Sequence, residues 1–264
     1  MTSSTPEALW SAEPLRVLRP AAVVCRKVTR AVGGRTLLDR FSLLVPVGMR
    51  LLVVARPEES ASLLVRILAG LSRASSGRIE VAGLAAGSEG QGRRVGYVGP
   101  EAGVYAWMSP RETLALSARL HELSAVEALR RSKAAIAHYG LANAADRPMG
   151  RGGPELAQRV ALAATMLGDP EVVLLDEPLR AVEAETRTRL LQIPGRRRSV
   201  ILASRYPATE AGLCSHVAFI RHGRLALLAP VMELAARGLP LSFPGIEALA
   251  AQAADDLRPG SAGA

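Results

Sequence analysis

Two carboxylates, Asp176 and Glu177, stand side by side where the apolar run Val172-Val173-Leu174-Leu175 ends. A strand of that character delivers its last side chains to the carboxyl edge of a sheet, where α/β proteins place their ligands. Paired carboxylates there can hold a cation and polarise a water, or simply stabilise the start of the helix that follows. Ser62 is the second candidate. Residues 50–55 read as a strand and residues 62–71 as a helix, which makes the strand–loop–helix setting of phosphate-binding loops, with Ser62 as the helix N-cap. Such loops commonly depend on one lysine at a fixed position. Of the 33 basic side chains only two, Lys27 and Lys133, are lysines, and neither lies near this loop in sequence.

An α/β order of elements must position these groups. Short apolar runs at 22–25, 41–47, 50–55, 78–81 and 95–98 read as strands, behind a Ser-, Pro- and Glu-rich lead-in over residues 1–20. From residue 109 the pattern turns helical. Ser109-Pro110-Arg111-Glu112 is a capping box with proline at the first helical position, and Ser124-Ala125-Val126-Glu127 is a second. Two helices fill about 110–139 and a third about 155–167, a helical insert between two α/β portions. Strands at 199–203, 216–220 and 225–228 complete the sheet, and short helices at 231–236 and 246–254 close the chain.

With 264 residues, 49 % of them apolar, the chain has ample surface to bury, and low-complexity disorder is excluded for most of it. No uncharged apolar run reaches the 18 or so residues of a membrane span, because the best stretch is interrupted by Arg50. Residues 1–18 lack the basic-then-apolar pattern of a secretory signal, and Cys25 and Cys214 read as buried free thiols in a reducing compartment. The net charge of +9 is nearly all arginine. It admits nucleic acid or an anionic membrane as a partner on charge alone. The triplet Arg196 to Arg198, after Pro194-Gly195, reads as a solvated turn. His121, His138, His216 and His222 show no metal-ligand spacing and are expected on solvated faces.

Five segments, read in order, carry a resemblance: Arg66-Ile67-Leu68-Ala69-Gly70-Leu71, then Ser76-Gly77-Arg78-Ile79, Val95-Gly96-Tyr97-Val98, Gly168-Asp169-Pro170-Glu171 running into Leu174-Leu175-Asp176-Glu177-Pro178, and Arg221-His222-Gly223-Arg224-Leu225. Together they resemble the nucleotide-binding domain of ABC transporters, of the kind that pairs with separate membrane subunits. The resemblance covers about residues 21–230 essentially without gaps. It implies an ABC-type P-loop NTPase fold, a RecA-like mixed sheet core with an antiparallel β subdomain and a helical subdomain at about 105–167, followed by a C-terminal extension over 231–264. It also implies ATP and Mg²⁺ as ligands, a head-to-tail homodimer or heterodimer with another ABC domain, a membrane-spanning permease subunit as partner, and a cytoplasmic place at the inner face of the membrane. Nucleic acid is not an expected partner.

Position by position, the resemblance assigns the phosphate loop to Ala55-Arg56-Pro57-Glu58-Glu59-Ser60-Ala61-Ser62-Leu63. Ala61 occupies the lysine position and Glu58 and Ser60 the two inner glycine positions, while Ser62 keeps the hydroxyl that would meet Mg²⁺. A carboxylate where a triphosphate should lie repels it by roughly several kcal/mol if poorly screened. Arg56 falls at the outer edge of the loop and does not substitute for the lysine. The adenine-stacking aromatic is Val32, the glutamine after Tyr97-Val98-Gly99 is Pro100, the switch histidine is Arg205, and the turn after the catalytic glutamate is Arg180-Ala181-Val182-Glu183. The signature loop reads Gly152-Gly153-Pro154-Glu155-Leu156, without its serine and with a proline that has no N–H. What survives is Asp176, which in the family helps hold Mg²⁺, and Glu177, which polarises the attacking water. The scaffold stays in register while most nucleotide-facing positions change, so the sequence predicts a subunit that folds and docks but has little or no ATP hydrolysis; the alternative is a functional ATP-binding ATPase driving transmembrane export, resting on Asp176, Glu177 and Ser62. Arg205 is expected as a surface arginine. Tyr105 and Trp107 fall where, in the family, the membrane subunit docks.

Overall fold

The computed structural model of the protein describes residues 20–56, 61–195, 197–238 and 241–256. The chain begins with two long strands, β1 (Ala21–Val32) and β2 (Arg35–Pro46). Gly33 and Gly34 join them, both at positive φ, as a two-residue hairpin turn requires. Residues 22–25 and 41–47 are therefore not short strands. The ladder runs from Ala21 opposite Pro46 to Val32 opposite Arg35. Arg26, Lys27 and Arg35, on the exposed part of this ladder, broke the apolar pattern by which a strand is recognised.

Next come β3 (Arg50–Ala55), α1 (Ala61–Leu68), β4 (Ser76–Val81), β5 (Leu84–Ala85), α2 (Gln91–Arg94) and β6 (Val95–Val98). The helical stretch holds α3 (Pro110–Leu120), α4 (Ala125–His138) and α5 (Gly153–Leu167). The chain then passes through β7 (Val172–Asp176), α6 (Ala184–Leu190), β8 (Ser199–Ala203), α7 (Pro207–Glu210), β9 (His216–Arg221), β10 (Arg224–Pro230), α8 (Val231–Ala236) and α9 (Phe243–Asp256). One sheet, β2-β1-β4-β5, is antiparallel. The other, β10-β9-β3-β8-β7-β6, is parallel except for β10. This is the expected mixed core with an antiparallel partner sheet and a helical stretch.

Strand periodicity of two divides the core. Leu52 and Val54 of β3 face one cluster, with Leu114, Ile136 and Leu162 of α3 to α5. Leu51 and Val53 face the other, with Leu64 and Ile67 of α1 and Phe41 and Val45 of β2. The central parallel strands are buried on both faces, which explains their unbroken apolar sequences.

Several local expectations change. At α3 the capping box is complete: Ser109 Oγ accepts from the Glu112 N–H at 3.2 Å, and Glu112 accepts from the Ser109 N–H at 2.8 Å. At α4 it is one-sided. Ser124 Oγ accepts from the Glu127 N–H, but the Glu127 carboxylate turns to Arg130 and Arg131 instead. α5 begins at Gly153 and α9 at Phe243, both earlier than expected, and α1 ends at Leu68, before Gly70 at φ +75°. Arg198 is no solvated turn residue. Its side chain is 14 % exposed, with Nε donating to the Pro170 carbonyl at 2.8 Å and a second nitrogen pairing with Asp169. His121 and His216 are half-buried, and burial pushes both imidazoles below their ordinary pKa. Cys25 and Cys214 are free thiols, pushed up to about 12 by burial. Among the described residues no helix is long and apolar enough to cross a membrane.

Candidate functional site

β7 is buried along its whole length and delivers Asp176, 1 % exposed, to the carboxyl edge of the sheet. Helix α1 brings Ser62 against it, and Ser62 Oγ donates to Asp176 Oδ1 at 2.6 Å. Tyr97 on the neighbouring β6 donates to Asp176 Oδ2 at 3.3 Å. Burial, and then the charge of Asp176, push the Tyr97 phenol up to about 12. The N-cap reading of Ser62 is thereby corrected: the residue lies inside the first turn of α1, with its hydroxyl committed to Asp176. Ala61 and Leu63 flank it, half-buried against the α1 side of the sheet. Ser60, with Pro57, Glu58 and Glu59, lies outside the described residues.

Glu177 is the first residue past β7. Its N–H donates to the Ala203 carbonyl at 3.0 Å, and its φ of +44° is unusual for a residue with a side chain. Arg205 Nε reaches its Oε1 at 2.5 Å, and Arg180 Nε stands 3.7 Å from its Oε2. Arg205 is exposed, as expected of a surface arginine, and pairs with Glu177 from that position. Arg205 follows β8 as Glu177 follows β7, and neighbouring parallel strands bring their ends together.

The segments around Pro100 and Ala181 are stapled by one side chain. Gln158 of α5 donates from Nε2 to the Pro100 carbonyl at 3.1 Å and accepts from the Ala181 N–H at 2.8 Å. Gly152-Gly153-Pro154-Glu155 forms the start of α5, without a side-chain cap, and Glu155 is drawn back to Arg159 at 3.1 Å. Val32 lies exposed at the hairpin turn. Arg56 Nε donates to Glu247 of α9 at 3.0 Å. Tyr105 and Trp107 stack with ring centroids 4.7 Å apart, and Trp107 is 72 % exposed. Beside them runs a groove of about 480 Å³ lined by Tyr105, Leu116, Leu120 and Ala161. Among the described residues no group of three potential metal ligands occurs.

Residues 61–180 match the family model for ABC transporters. An aliphatic sulfonates import ATP-binding protein of Frankia casuarinae is 33 % identical over 217 residues, covering 80 % of this chain and 67 % of that protein. The chain belongs to the ABC transporter family. A second such protein, from Pseudomonas fluorescens, is 30 % identical over 88 % of this chain and 85 % of its own length. A solved ATP-binding subunit of an ABC transporter superposes with a TM-score of 0.75 at 16 % identity, covering 88 % of this chain and 99 % of that one.

Within this ABC fold, sequence reasoning missed the Gln158 staple, the Arg56–Glu247 pair and a buried Arg187–Glu210 pair at 3.4 Å. The only signal was Gln158 following a motif position. The other contacts join residues far apart in sequence with no motif between them.

Proposed function

We propose that this chain is an ATP-binding-type subunit of a membrane transport complex with a degenerate nucleotide site. Residues 21–230 serve as the domain, which docks at the cytoplasmic face of the membrane against a permease subunit and pairs with a second copy or another ABC domain. The ATPase relatives are named for importing aliphatic sulfonates, so an importer of that class is the complex proposed.

The observation that carries the degenerate site is Glu177 paired with Arg205 and facing Arg180. With Arg205 against one oxygen and Arg180 beside the other, this carboxylate faces guanidinium groups where a catalytic base would face water. Ser62 and Asp176 are the residues that would hold Mg²⁺, and the ion would supply charge neutralisation there. The residues do not suit ATP itself: Ala61 carries no charge for the triphosphate, Val32 no ring for the adenine, and Glu155 is tied to Arg159. The exposed Tyr105–Trp107 stack beside its groove supports docking to a protein partner. Exposed arginines on α2, α3, α4 and β10 are held in ion pairs with neighbouring acids, which disfavours nucleic acid as partner.

Mixing the purified protein with labelled ATP and Mg²⁺ tests this. No micromolar binding and no steady phosphate release are expected. Micromolar binding with turnover abolished by Glu177→Gln would overturn the proposal. Ala61→Lys is expected to leave the chain inactive.

A further inference from the structure

Next to the remnant site lies a cavity of about 520 Å³, lined by Pro100, Gln158, Arg180, Ala181, Arg187 and Tyr206. The lining holds two arginines and no carboxylate. The Gln158 amide ties two of its walls together, donating to the Pro100 carbonyl and accepting from the Ala181 N–H. Arg187, on α6, has a side chain 12 % exposed, 5.7 Å from the centre of the Tyr206 ring and 3.4 Å from Glu210 Oε1.

Both guanidinium groups have donors to spare. Among the described residues neither Arg180 nor Arg187 donates a hydrogen bond of normal geometry. The Nε of Arg187 is buried without a hydrogen-bond partner, and Arg180 meets Glu177 only at 3.7 Å. A guanidinium carries five N–H donors in a planar fork that matches a tetrahedral oxyanion, and a buried polar group in a folded protein is normally satisfied. Burial raises the Glu210 carboxyl above its ordinary pKa, opposed by Ser204 and Arg187, and one oxygen of that carboxyl is itself buried without a hydrogen-bond partner.

We propose that this cavity binds a tetrahedral oxyanion of phosphate or sulfonate type, held by the guanidinium groups of Arg180 and Arg187 with Tyr206 at the rim. The site uses neither Ser62 nor Asp176, and it stands whether or not the chain turns over ATP. A free phosphate, a sulfonate solute and the phosphate tail of a nucleotide share the chemistry it recognises.

Calorimetric titration of the full chain with inorganic phosphate, ethanesulfonate and ATP, each without metal, is the test. At least one probe is expected to bind with a dissociation constant of about 1 mM or tighter. Arg180→Gln, at an exposed position, should weaken that binding roughly tenfold or more. The double variant Arg187→Gln/Glu210→Gln, which replaces the buried ion pair with two neutral amides, should do the same, while Ser62→Ala should not. The strongest probe identifies the source of the anion. Absence of binding by all three probes at about 10 mM overturns the proposal. So does binding that survives Arg180→Gln, or binding that Ser62→Ala abolishes. Circular dichroism confirms that each variant is folded, and Arg180→Gln decides alone should the double variant unfold.

Discussion

At Arg50 a single side chain ties down two segments, the one after α6 and the one before β9, through three carbonyls. Its Nε donates to the Leu213 carbonyl at 2.6 Å, Nη1 to Ile193 at 2.8 Å and Nη2 to Leu191 at 3.0 Å. From the sequence this arginine was legible only as the charge that interrupts an apolar run. Its planar fork reaches carbonyls that a lysine ammonium, a point donor, cannot reach together. Arg50→Lys is therefore expected to destabilise the protein by about 2–3 kcal/mol, read as a lower urea midpoint at unchanged slope. Glu177 teaches the same lesson at the site. Its identity and its place after β7 were readable, but its pairing with Arg205 needed two strand ends brought together.

Among the elements, α3 and α4 start with the same Ser-x-x-Glu pattern and use it differently. Ser109→Ala removes a reciprocal cap and is expected to cost about 1 kcal/mol in a denaturant titration. At α4, hydrogen bonds from Arg130 and Arg131 hold the Glu127 carboxyl down to about 2, against an ordinary 4.5. A depressed carboxyl contributes stability that is complete above about pH 4.5 and lost as the pH falls toward 2. Asp146, Glu171 and Glu183 shift in the same direction, the first two through arginine partners. The urea midpoint is therefore expected to decline gently below about pH 6.5, where His121 and His216 resist protonation, and steeply below about 4.5. Glu210, raised by burial, works in the opposite sense. Glu127→Gln should flatten the steep arm, and a midpoint that rises with acid would contradict the assignment.

In the whole molecule, α9 packs its apolar face against the core. Ile246, Leu249 and Ala250 are buried, Phe243 meets Phe219 edge-on at 5.7 Å, and Glu247 reaches Arg56 at the end of β3. Ile246→Ala is expected to cost about 2–4 kcal/mol, whereas the exposed Val126→Ala should stay within about 0.5 kcal/mol. Denaturant titration of both variants checks the contrast. By itself the sequence determined the parallel strands, because burial on both faces writes an uninterrupted apolar run such as Val172 to Leu175. It also determined the family, through motifs on and beside those strands, and the substitution at each motif position, Ala61 above all. The tertiary structure alone decided the long β1–β2 hairpin, whose exposed arginines hide its period. It decided as well the partners of Ser62, Glu177 and Arg187. Those contacts cross from one strand end or helix to another, and no local pattern of residues records which distant side chain folding will place within hydrogen-bond reach.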